Sequence, residues 1–316
     1  MTSVEAVARR WPAPLTAVAD GWERFWFSPS PATTLGIVRI AYGVVLLGWA
    51  ATLGPDLMAF FSDSERGTVP LNLARSTGWS VFKLWPTDAA VWIGWVVLLL
   101  AAVAVIVGFR PPVALAVSFV LVVSFQHRNP YLLNSGDFVV KDLAFFLLLC
   151  PSGAALSVDR WRRVGRDRFW DNPPVTQWAM RLVQIQVSLV YFFSFWNKTG
   201  LAWRGGSAVS IAWQLIDLQR FVVPSAITHN LWLSTMLGWG TMALELAGGV
   251  LIWVKRWRLW VIVGLVLLHL TIDVTLLVGF FSWAMICGLL AFLPPETSGR
   301  WVASAHHRLG HSSVPV

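Results

Sequence analysis

Residues 88–109, DAAVWIGWVVLLLAAVAVIVGF, contain one charged side chain, that of Asp88. A helix needs ~20 apolar residues to cross the hydrocarbon core of a bilayer, and this run is long enough. Arg110 and then Pro111-Pro112 follow it, which predicts a tight turn. A second apolar run begins at once after the prolines. The sequence therefore predicts two consecutive membrane-crossing helices at this point.

The composition of the whole chain agrees with this prediction. The 316 residues are 56% hydrophobic and only 13% charged, with a mean hydropathy of +0.63. A soluble domain carries about a quarter charged residues, so this chain has too few polar side chains to cover a water-facing surface. The 21 tryptophans also fit a bilayer, because indole rings settle at the headgroup level. We predict an all-α fold, a polytopic integral membrane helical bundle.

The hydropathy pattern predicts about eight transmembrane helices plus interfacial helices. The candidate spans are residues 33–54, 88–109, 111–127, 138–156, 176–197, 232–254, 258–277 and 280–294. We divide the chain into an interfacial segment (1–32), one transmembrane domain (33–296) and a polar tail (297–316). Two long connections, 55–86 and 199–231, are expected on the side opposite the termini, and loops of this length usually carry or cover a site.

Loop charges predict the orientation. Basic residues are about twice as frequent on the side of the termini, where residues 160–168 contribute five arginines. By the positive-inside rule, both termini are expected in the cytoplasm, in a bacterial plasma membrane.

The net charge of +8 has two interpretations, nucleic-acid binding or contact with anionic lipid headgroups. In a membrane protein the second is favoured, so we predict membrane lipids and no nucleic acid as partners. Cys150 and Cys287 lie in apolar runs without a CxxC pair or a Cys/His cluster. This pattern predicts packing residues rather than a metal site or a disulfide.

Several ionisable residues fall inside the predicted spans, where an ionised side chain costs a few kcal/mol. They are Arg39, Lys141, Asp142, Arg181, Glu245, His269 and Asp273. Arg39 and Arg181 lie close enough to the cytoplasmic ends to snorkel toward the headgroups. For these two arginines, the sequence predicts an anchor or an ion pair between helices.

His269 and Asp273 are four residues apart, which places them on one helix face. A carboxylate beside an imidazole can hold its tautomer or stabilise its protonated form. Glu245, near the middle of the preceding span, is expected to meet His269 at a similar depth. A structural polar clamp and a proton path are both compatible with this set.

The stretch 124–146, SFQHRNPYLLNSGDFVVKDLAFF, is rich in polar residues between two spans. Asp137 is expected to cap the fourth span and to pair with Lys141 one turn later. His127 and Arg128 lie at the bilayer edge, where they are candidates to bind an anionic or quinone oxygen, or a lipid phosphate.

Lys198 ends the fifth apolar run within FSFWNKTGLAW, residues 193–203. The topology places it on the same outer side as His127, Arg128, Asp137 and Asp273. Aromatic neighbours and partial burial favour the neutral amine, which can act as a general base. The alternative interpretation is a snorkelling anchor at the membrane surface.

Two stretches carry a family resemblance. QHRNPYLLNSGDFVVKDLAFFLLLCPSGAALSVDR (126–160) and FSFWNKTGLAWRGGSAV (193–209) resemble the horizontally transferred transmembrane (HTTM) domain, which vitamin K-dependent γ-glutamyl carboxylases share. The similarity spans about residues 20–296. In the carboxylases, a lysine deprotonates vitamin K hydroquinone, and oxygen addition gives a strongly basic alkoxide. The alkoxide takes a γ-proton from peptide glutamate, the carbanion captures carbon dioxide, and the quinone leaves as an epoxide.

The resemblance implies a naphthoquinol cofactor, vitamin K hydroquinone or menaquinol, and a carboxylase-like or epoxidase-like reaction. It assigns the base to Lys198, which precedes Trp203 by five residues as in the carboxylases. Under this hypothesis His127 and Arg128 orient the ring oxygens, Trp203 walls the pocket, and Asp137 and Lys141 complete it. His269 and Asp273 then serve proton traffic or structural support.

The chain departs from the carboxylase pattern at two points. It has Asn197-Lys198 where the carboxylases have two lysines, and residues 134–137, NSGD, where they have a histidine. Two other hypotheses therefore stay open. One is a non-catalytic membrane factor that takes part in the maturation or assembly of an exported peptide, or that gives immunity to it. The other is a transporter, although no internal repeat supports it.

Overall fold

The computed structural model describes residues 13–64, 67 and 78–308. Four basic residues of the loop-charge prediction, Arg9, Arg10, Arg66 and Arg75, lie outside the described residues. The α-helices of the described part are α1 (Ala13–Phe27), α2 (Thr33–Leu53), α3 (Leu57–Phe61), α4 (Val81–Leu84), α5 (Asp88–Val107), α6 (Pro111–Arg128), α7 (Ser135–Leu148), α8 (Val158–Val164), α9 (Trp178–Asn197), α10 (Leu201–Arg204), α11 (Ala208–Gln214), α12 (Ser225–Thr228), α13 (Leu231–Gly249), α14 (Lys255–Thr275), α15 (Phe281–Leu289) and α16 (Pro295–Arg308). Single-turn 3-10 helices lie at Pro130–Leu132, Ile216–Leu218, Leu251–Trp253 and Leu290–Phe292.

A helix occupies each of the eight places where the sequence predicts a span. Four of these helices, α2, α5, α6 and α14, are long and apolar enough to cross a membrane. The remaining places hold α7, α9, α13 and α15, of which α7 has 14 residues and α15 has 9. Membrane character is therefore confirmed, whereas the count of about eight crossings stays a prediction for the second four helices.

The turn between α5 and α6 is as tight as the sequence predicts. Gly108 ends α5 with φ of 71°, a left-handed conformation that glycine adopts at little cost. Pro111 then starts α6, where its missing N–H is not needed. Thr87 caps the other end of α5 by accepting a hydrogen bond from the backbone N–H of Ala90.

The helices pack in two groups. In the first group, α2 packs against α5, α5 against α6 and α6 against α7; in the second, α9 packs against α13. Helix α15 contacts α2, α7, α9 and α14 and so joins the groups. A Cβ atom on Gly248 would lie 2.9 Å from the Tyr191 ring, so this glycine lets α13 approach α9 closely.

One end of the bundle, which we call the Arg39 end, holds a small antiparallel sheet. Strands β1 (Pro29–Pro31) and β2 (Pro174–Thr176) pair there, just before α2 and α9 begin. Helix α16 also lies at this end and packs against α2, with Ser298 and Thr34 hydroxyls 2.8 Å apart. Most of the predicted polar tail is therefore helical as far as Arg308. The opposite end, where α6 and α9 finish, is the Lys198 end.

Arg39 does not snorkel, which corrects the expectation from sequence. Its side chain is fully buried, and its guanidinium donates only to main-chain oxygens: Val105 (3.0 Å), Ser152 (2.5 Å), Ala155 (3.1 Å) and Leu156. Arg181 anchors α9 to α1 by donating to the Phe25 carbonyl at 3.1 Å. Neither arginine forms an ion pair between helices within the described part of the chain.

The connection 199–231 consists of short helical pieces. It is broken into α10, α11, a 3-10 turn and α12, because Gly205-Gly206 and Pro224 interrupt it. Helix α11 packs against α13, with Ser210 N–H donating to Ser234 Oγ at 2.9 Å. This connection therefore lies over the Lys198 end of the second helix group.

Candidate functional site

Lys198 follows the last residue of α9, and its side chain is only 15% exposed. Its Nζ donates to Glu245 Oε1 at 2.7 Å and to Ser194 Oγ at 2.7 Å. The ammonium also lies 5.0 Å from the centre of the Trp203 ring, a cation–π distance. Lys198 is thus a largely buried, ion-paired amine, and the role of Trp203 as a pocket wall stays a prediction.

Glu245 is the ion-pair partner of Lys198, a pairing that the sequence did not predict. It was expected beside His269, but Oε1 accepts hydrogen bonds from Lys198 and from Ser194 Oγ, the latter at 2.9 Å. The side chain is 10% exposed, and Oε2 is buried without a hydrogen-bond partner in the described residues. Gly248 packs on Tyr191, and Glu245, one turn earlier on α13, therefore lies beside Lys198, which comes after Tyr191 on the antiparallel α9.

His269, on α14, forms a second polar pair with Tyr191, which lies on α9 one turn before Ser194. Its Nε2 lies 2.8 Å from the Tyr191 hydroxyl, and the residue is 2% exposed. Nδ1 is buried and has no hydrogen-bond partner within the described part. The imidazole packs edge-on against Phe281, with ring centres 5.5 Å apart. Tyr191, Ser194 and Lys198 share one face of α9 through their spacing of three and four residues.

Asp273 does not orient His269, so this predicted pair is wrong. Its carboxylate lies 3.5 Å from Arg220 Nη2, and its carbonyl accepts from Arg220 Nε at 2.6 Å. The cause is main-chain pairing of two segments, since Arg220 N–H donates to Thr275 O and Leu277 N–H to Leu218 O. This pairing brings Arg220, rather than the imidazole, to Asp273.

Asp137 contributes to the predicted cap, but the cap residue itself is Asn134. Asn134 accepts from Gly136 N–H at 2.8 Å, and Asp137 Oδ2 accepts from the Asn134 N–H at 2.8 Å, which together form a capping box. Asp137 Oδ1 accepts from Trp49 Nε1 at 2.7 Å. Both carboxylate oxygens are therefore occupied within the buried end of α7.

The predicted ion pair between Asp137 and Lys141 is absent from the described residues. Lys141 Nζ lies 3.8 Å from Asp142 Oδ1 and 5.1 Å from the centre of the Phe138 ring. The lysine side chain is 28% exposed, whereas Asp137 is buried against Trp49. A partly exposed amine is stabilised more by its exposed neighbours than by a carboxylate that is already hydrogen-bonded.

His127 and Arg128 contact the connection before α5. His127 Nδ1 lies 2.6 Å from the Trp79 carbonyl. Arg128 is 2% exposed, donates from Nε to the Phe61 carbonyl, and lies over the Phe82 ring. Its Nη1 and Nη2 have no hydrogen-bond partner within the described part.

A cavity of about 300 Å³ lies near these residues, at the Lys198 end of the first helix group. Its lining combines aromatic rings with amides and one carboxylate: Trp49, Thr52, Leu53, Phe60, Phe61, Phe125, Gln126, Asn129, Leu132, Leu133, Asn134, Asp137, Gly279 and Phe280. We call it the amide cavity. The amides were visible in the polar stretch 124–146, but Trp49 and Phe280 come from distant segments that no local pattern indicates.

The structure brings one predicted site residue, Asp137, to the amide cavity. Lys198, His127, Arg128, Lys141, Trp203, His269 and Asp273 do not line it. Phe280 lines the cavity, and its neighbour Phe281 contacts His269. The cavity and the Lys198–Glu245 pair are therefore separate.

The helix bundle, its exposed apolar surface and its buried ion pair define a helical membrane protein. The HTTM domain model matches residues 27–297, so the chain belongs to the HTTM domain family. No curated protein and no solved structure matches the chain. Cys150 and Cys287 are free and buried, as expected for packing residues.

Proposed function

We propose that this HTTM protein is a quinol-dependent membrane enzyme that holds the quinol ring in the amide cavity. The observation that carries the proposal is the chemistry of the cavity lining. Aromatic rings and aliphatic side chains surround a small number of polar groups, which is the usual composition of a site for a small organic molecule.

Two amides in the lining have spare hydrogen-bonding capacity. Gln126 donates Nε2 to the Asp137 carbonyl at 2.8 Å, which leaves Oε1 without a partner among the described residues. Asn134 uses Oδ1 in the helix cap, and its Nδ2 likewise makes no hydrogen bond there. One acceptor and one donor suit a quinol, which carries a hydroxyl at each end of a flat ring. The residues present therefore fit this cofactor.

The resemblance to the carboxylases supports the catalytic part of the proposal. When bound, a quinol would supply the electrons for a reaction with oxygen. We assign Lys198, together with Glu245, the role of accepting the proton that the quinol gives up. Tyr191, one turn before Ser194 on α9, is hydrogen-bonded to His269, and the His269 ring packs against Phe281, the neighbour of the cavity residue Phe280.

A second function has one specific observation in its favour. Lys198 is held by Glu245 and Ser194 and lies outside the cavity lining, as expected if the ion pair only locks α9 to α13. Under this alternative the protein is a non-catalytic membrane factor for an exported peptide. Binding without turnover distinguishes it from the enzyme.

The test combines a binding assay and a turnover assay on purified protein in lipid nanodiscs. A short-chain menaquinone is the binding probe, and oxygen consumption with the corresponding menaquinol measures turnover. Leu132→Trp fills the amide cavity and should abolish binding, whereas Leu267→Trp, on the exposed face of α14, should leave binding unchanged. Lys198→Met should keep binding but lose turnover.

Each result has a defined meaning. No menaquinone binding by the unchanged protein, or binding unaffected by Leu132→Trp, rejects the amide cavity as the ring site. Binding with no oxygen consumption rejects the enzyme and favours the membrane factor. Turnover that survives Lys198→Met removes Lys198 from the reaction. Thermal unfolding of each variant shows whether a loss reflects misfolding instead.

A further inference from the structure

A second cavity, of about 650 Å³, lies at the Arg39 end, and it shares no lining residue with the amide cavity. Both short strands, the first turns of α9 and α14, and residues 291–296 form its walls. We call it the basic crevice, because Arg181, Lys255 and Arg258 line it. Among its lining residues, Glu296 carries the one carboxylate, so three positive charges face one negative charge.

The three cationic side chains have donors to spare. Arg181 uses Nε and Nη1 for the Phe25 carbonyl and for Gln184, and Arg258 uses Nε and Nη2 for the carbonyls of Ile252 and Trp253. In the described part of the chain, Arg181 Nη2, Arg258 Nη1 and Lys255 Nζ make no hydrogen bond and no salt bridge.

The charges in the crevice are not balanced internally. Arg181, Lys255 and Arg258 line the same cavity, and Glu296, the one carboxylate of the lining, forms no salt bridge with any of them in the described residues. Like charges held together favour an anion between them. This arrangement differs from the Lys198–Glu245 pair, in which the compensating carboxylate belongs to the protein itself.

The crevice continues onto an exposed apolar surface. Leu259 lines it and is 57% exposed, and Val263 and Leu267 follow on the same face of α14 at intervals of four residues. In a bilayer this stripe faces acyl chains. An anion that extends into an acyl chain would therefore fill the crevice and the stripe together, which inorganic phosphate cannot do.

We propose that the basic crevice binds the phosphate group of an anionic phospholipid, with an acyl chain lying along α14. The shared chemistry is a phosphate bound by two guanidinium groups and an ammonium. The loop-charge prediction places this end on the cytoplasmic side, where basic pockets between helices bind anionic headgroups. The proposal does not depend on the quinol hypothesis.

Native mass spectrometry of the full chain in detergent tests the proposal, with phosphatidylglycerol and phosphatidylcholine of equal acyl length as probes. Phosphatidylglycerol should bind with the lower Kd. Lys255→Gln should weaken its binding about fivefold, as expected for one basic side chain at a headgroup. Glu296→Gln should strengthen it about twofold, since a repelling carboxylate is removed. Arg256→Gln, next to Lys255 but outside the lining, is the matched control.

Opposite shifts for Lys255→Gln and Glu296→Gln, with no shift for Arg256→Gln, support the site. Equal binding of both lipids, or equal weakening by Lys255→Gln and Arg256→Gln, overturns it. Competition by inorganic phosphate at the same concentration as phosphatidylglycerol overturns the lipid as the occupant. Neither Lys255 nor Glu296 has a side-chain hydrogen bond in the described residues, so both variants should fold.

Discussion

Arg39 and Lys198 are cations buried at opposite ends of the same apolar bundle, but different groups surround them. The Arg39 guanidinium donates to four carbonyl oxygens and forms no salt bridge with a carboxylate of the described residues, whereas the Lys198 ammonium contacts the Glu245 carboxylate at 2.7 Å. A guanidinium stays protonated in proteins, so carbonyl oxygens around it form a permanent joint between segments. A lysine ammonium, unlike a guanidinium, is a group that proteins can deprotonate.

This difference separates structural from chemical use of a buried charge. Arg39 ties α2 to α5 and to residues 152–156, and no cavity described above includes it. Lys198 connects α9 to α13 and lies beside a second polar pair. The group that compensates the charge therefore differs between the two ends, and under the proposed function the Lys198–Glu245 pair is the one with a chemical role.

The largest effect is expected for Arg39→Leu, which tests the Arg39 side of the comparison. The substitution leaves four buried carbonyls without a donor, at about 1 kcal/mol each, so the free energy of unfolding should fall by about 4 kcal/mol. Denaturant titration in detergent measures it. Arg163→Leu, an exposed change at the same end, should have little effect. If Arg39→Leu and Arg163→Leu lower the free energy of unfolding equally, the Arg39 hydrogen bonds do not hold these segments together.

The effects of substituting Lys198 and Glu245 on the free energy of unfolding should not be additive, because the two side chains pair with each other. Lys198→Met or Glu245→Gln alone leaves one buried group unpaired and should cost about 3 kcal/mol. The double variant removes both groups, so it should cost about 2 kcal/mol less than the sum of the two single changes. The same titration measures all three proteins. Additive costs would mean that the pair contributes no mutual stabilisation.

The positions of these residues on helices could be predicted from sequence, but their partners could not. Apolar runs and Pro111 located the long helices, and the polar stretch 124–146 located the start of α7. Which side chains become partners depends on the axial offset between two packed helices. Gly248 sets that offset by close approach to Tyr191, and it moves Glu245 from the predicted His269 to Lys198.

The same reasoning explains the residues that line the amide cavity. Gln126, Asn134 and Asp137 come from one polar stretch, so a local pattern indicated a polar site there. Trp49 and Phe280 reach the cavity from α2 and from the residue before α15, and only the packing of α15 against α2 and α7 brings them in. Sequence alone therefore pointed to the polar stretch, but of its proposed cofactor-binding residues only Asp137 lines the cavity, and it missed the amides as well as the aromatic walls.

Asp137→Asn extends the comparison to a buried carboxylate, that of Asp137, which has no cationic partner in the described residues. Its oxygens accept from the Asn134 N–H and from Trp49 Nε1, so the amide should lose about 1.5 kcal/mol of unfolding free energy through a weakened cap and an unpaired indole. Thermal unfolding measures it, with the exposed Asp171→Asn as control. A loss of unfolding free energy larger than that of Lys198→Met would contradict the expectation that Asp137 contributes less to stability than the Lys198–Glu245 pair.

Asp273→Asn should have the smallest effect, although Asp273 also contacts a cation. Arg220 is 45% exposed and 3.5 Å from the carboxylate, and exposed pairs of this kind are worth about 0.5 kcal/mol. Three hydrogen bonds that do not use the carboxylate persist in the variant, those from Arg220 Nε, Arg220 N–H and Leu277 N–H. Raising the salt concentration should remove the remaining difference between the unchanged protein and the variant, because exposed charges are screened. A salt-independent loss as large as that of Glu245→Gln would show instead that Asp273 compensates a buried charge, and the imidazole of His269 would then be the group to examine.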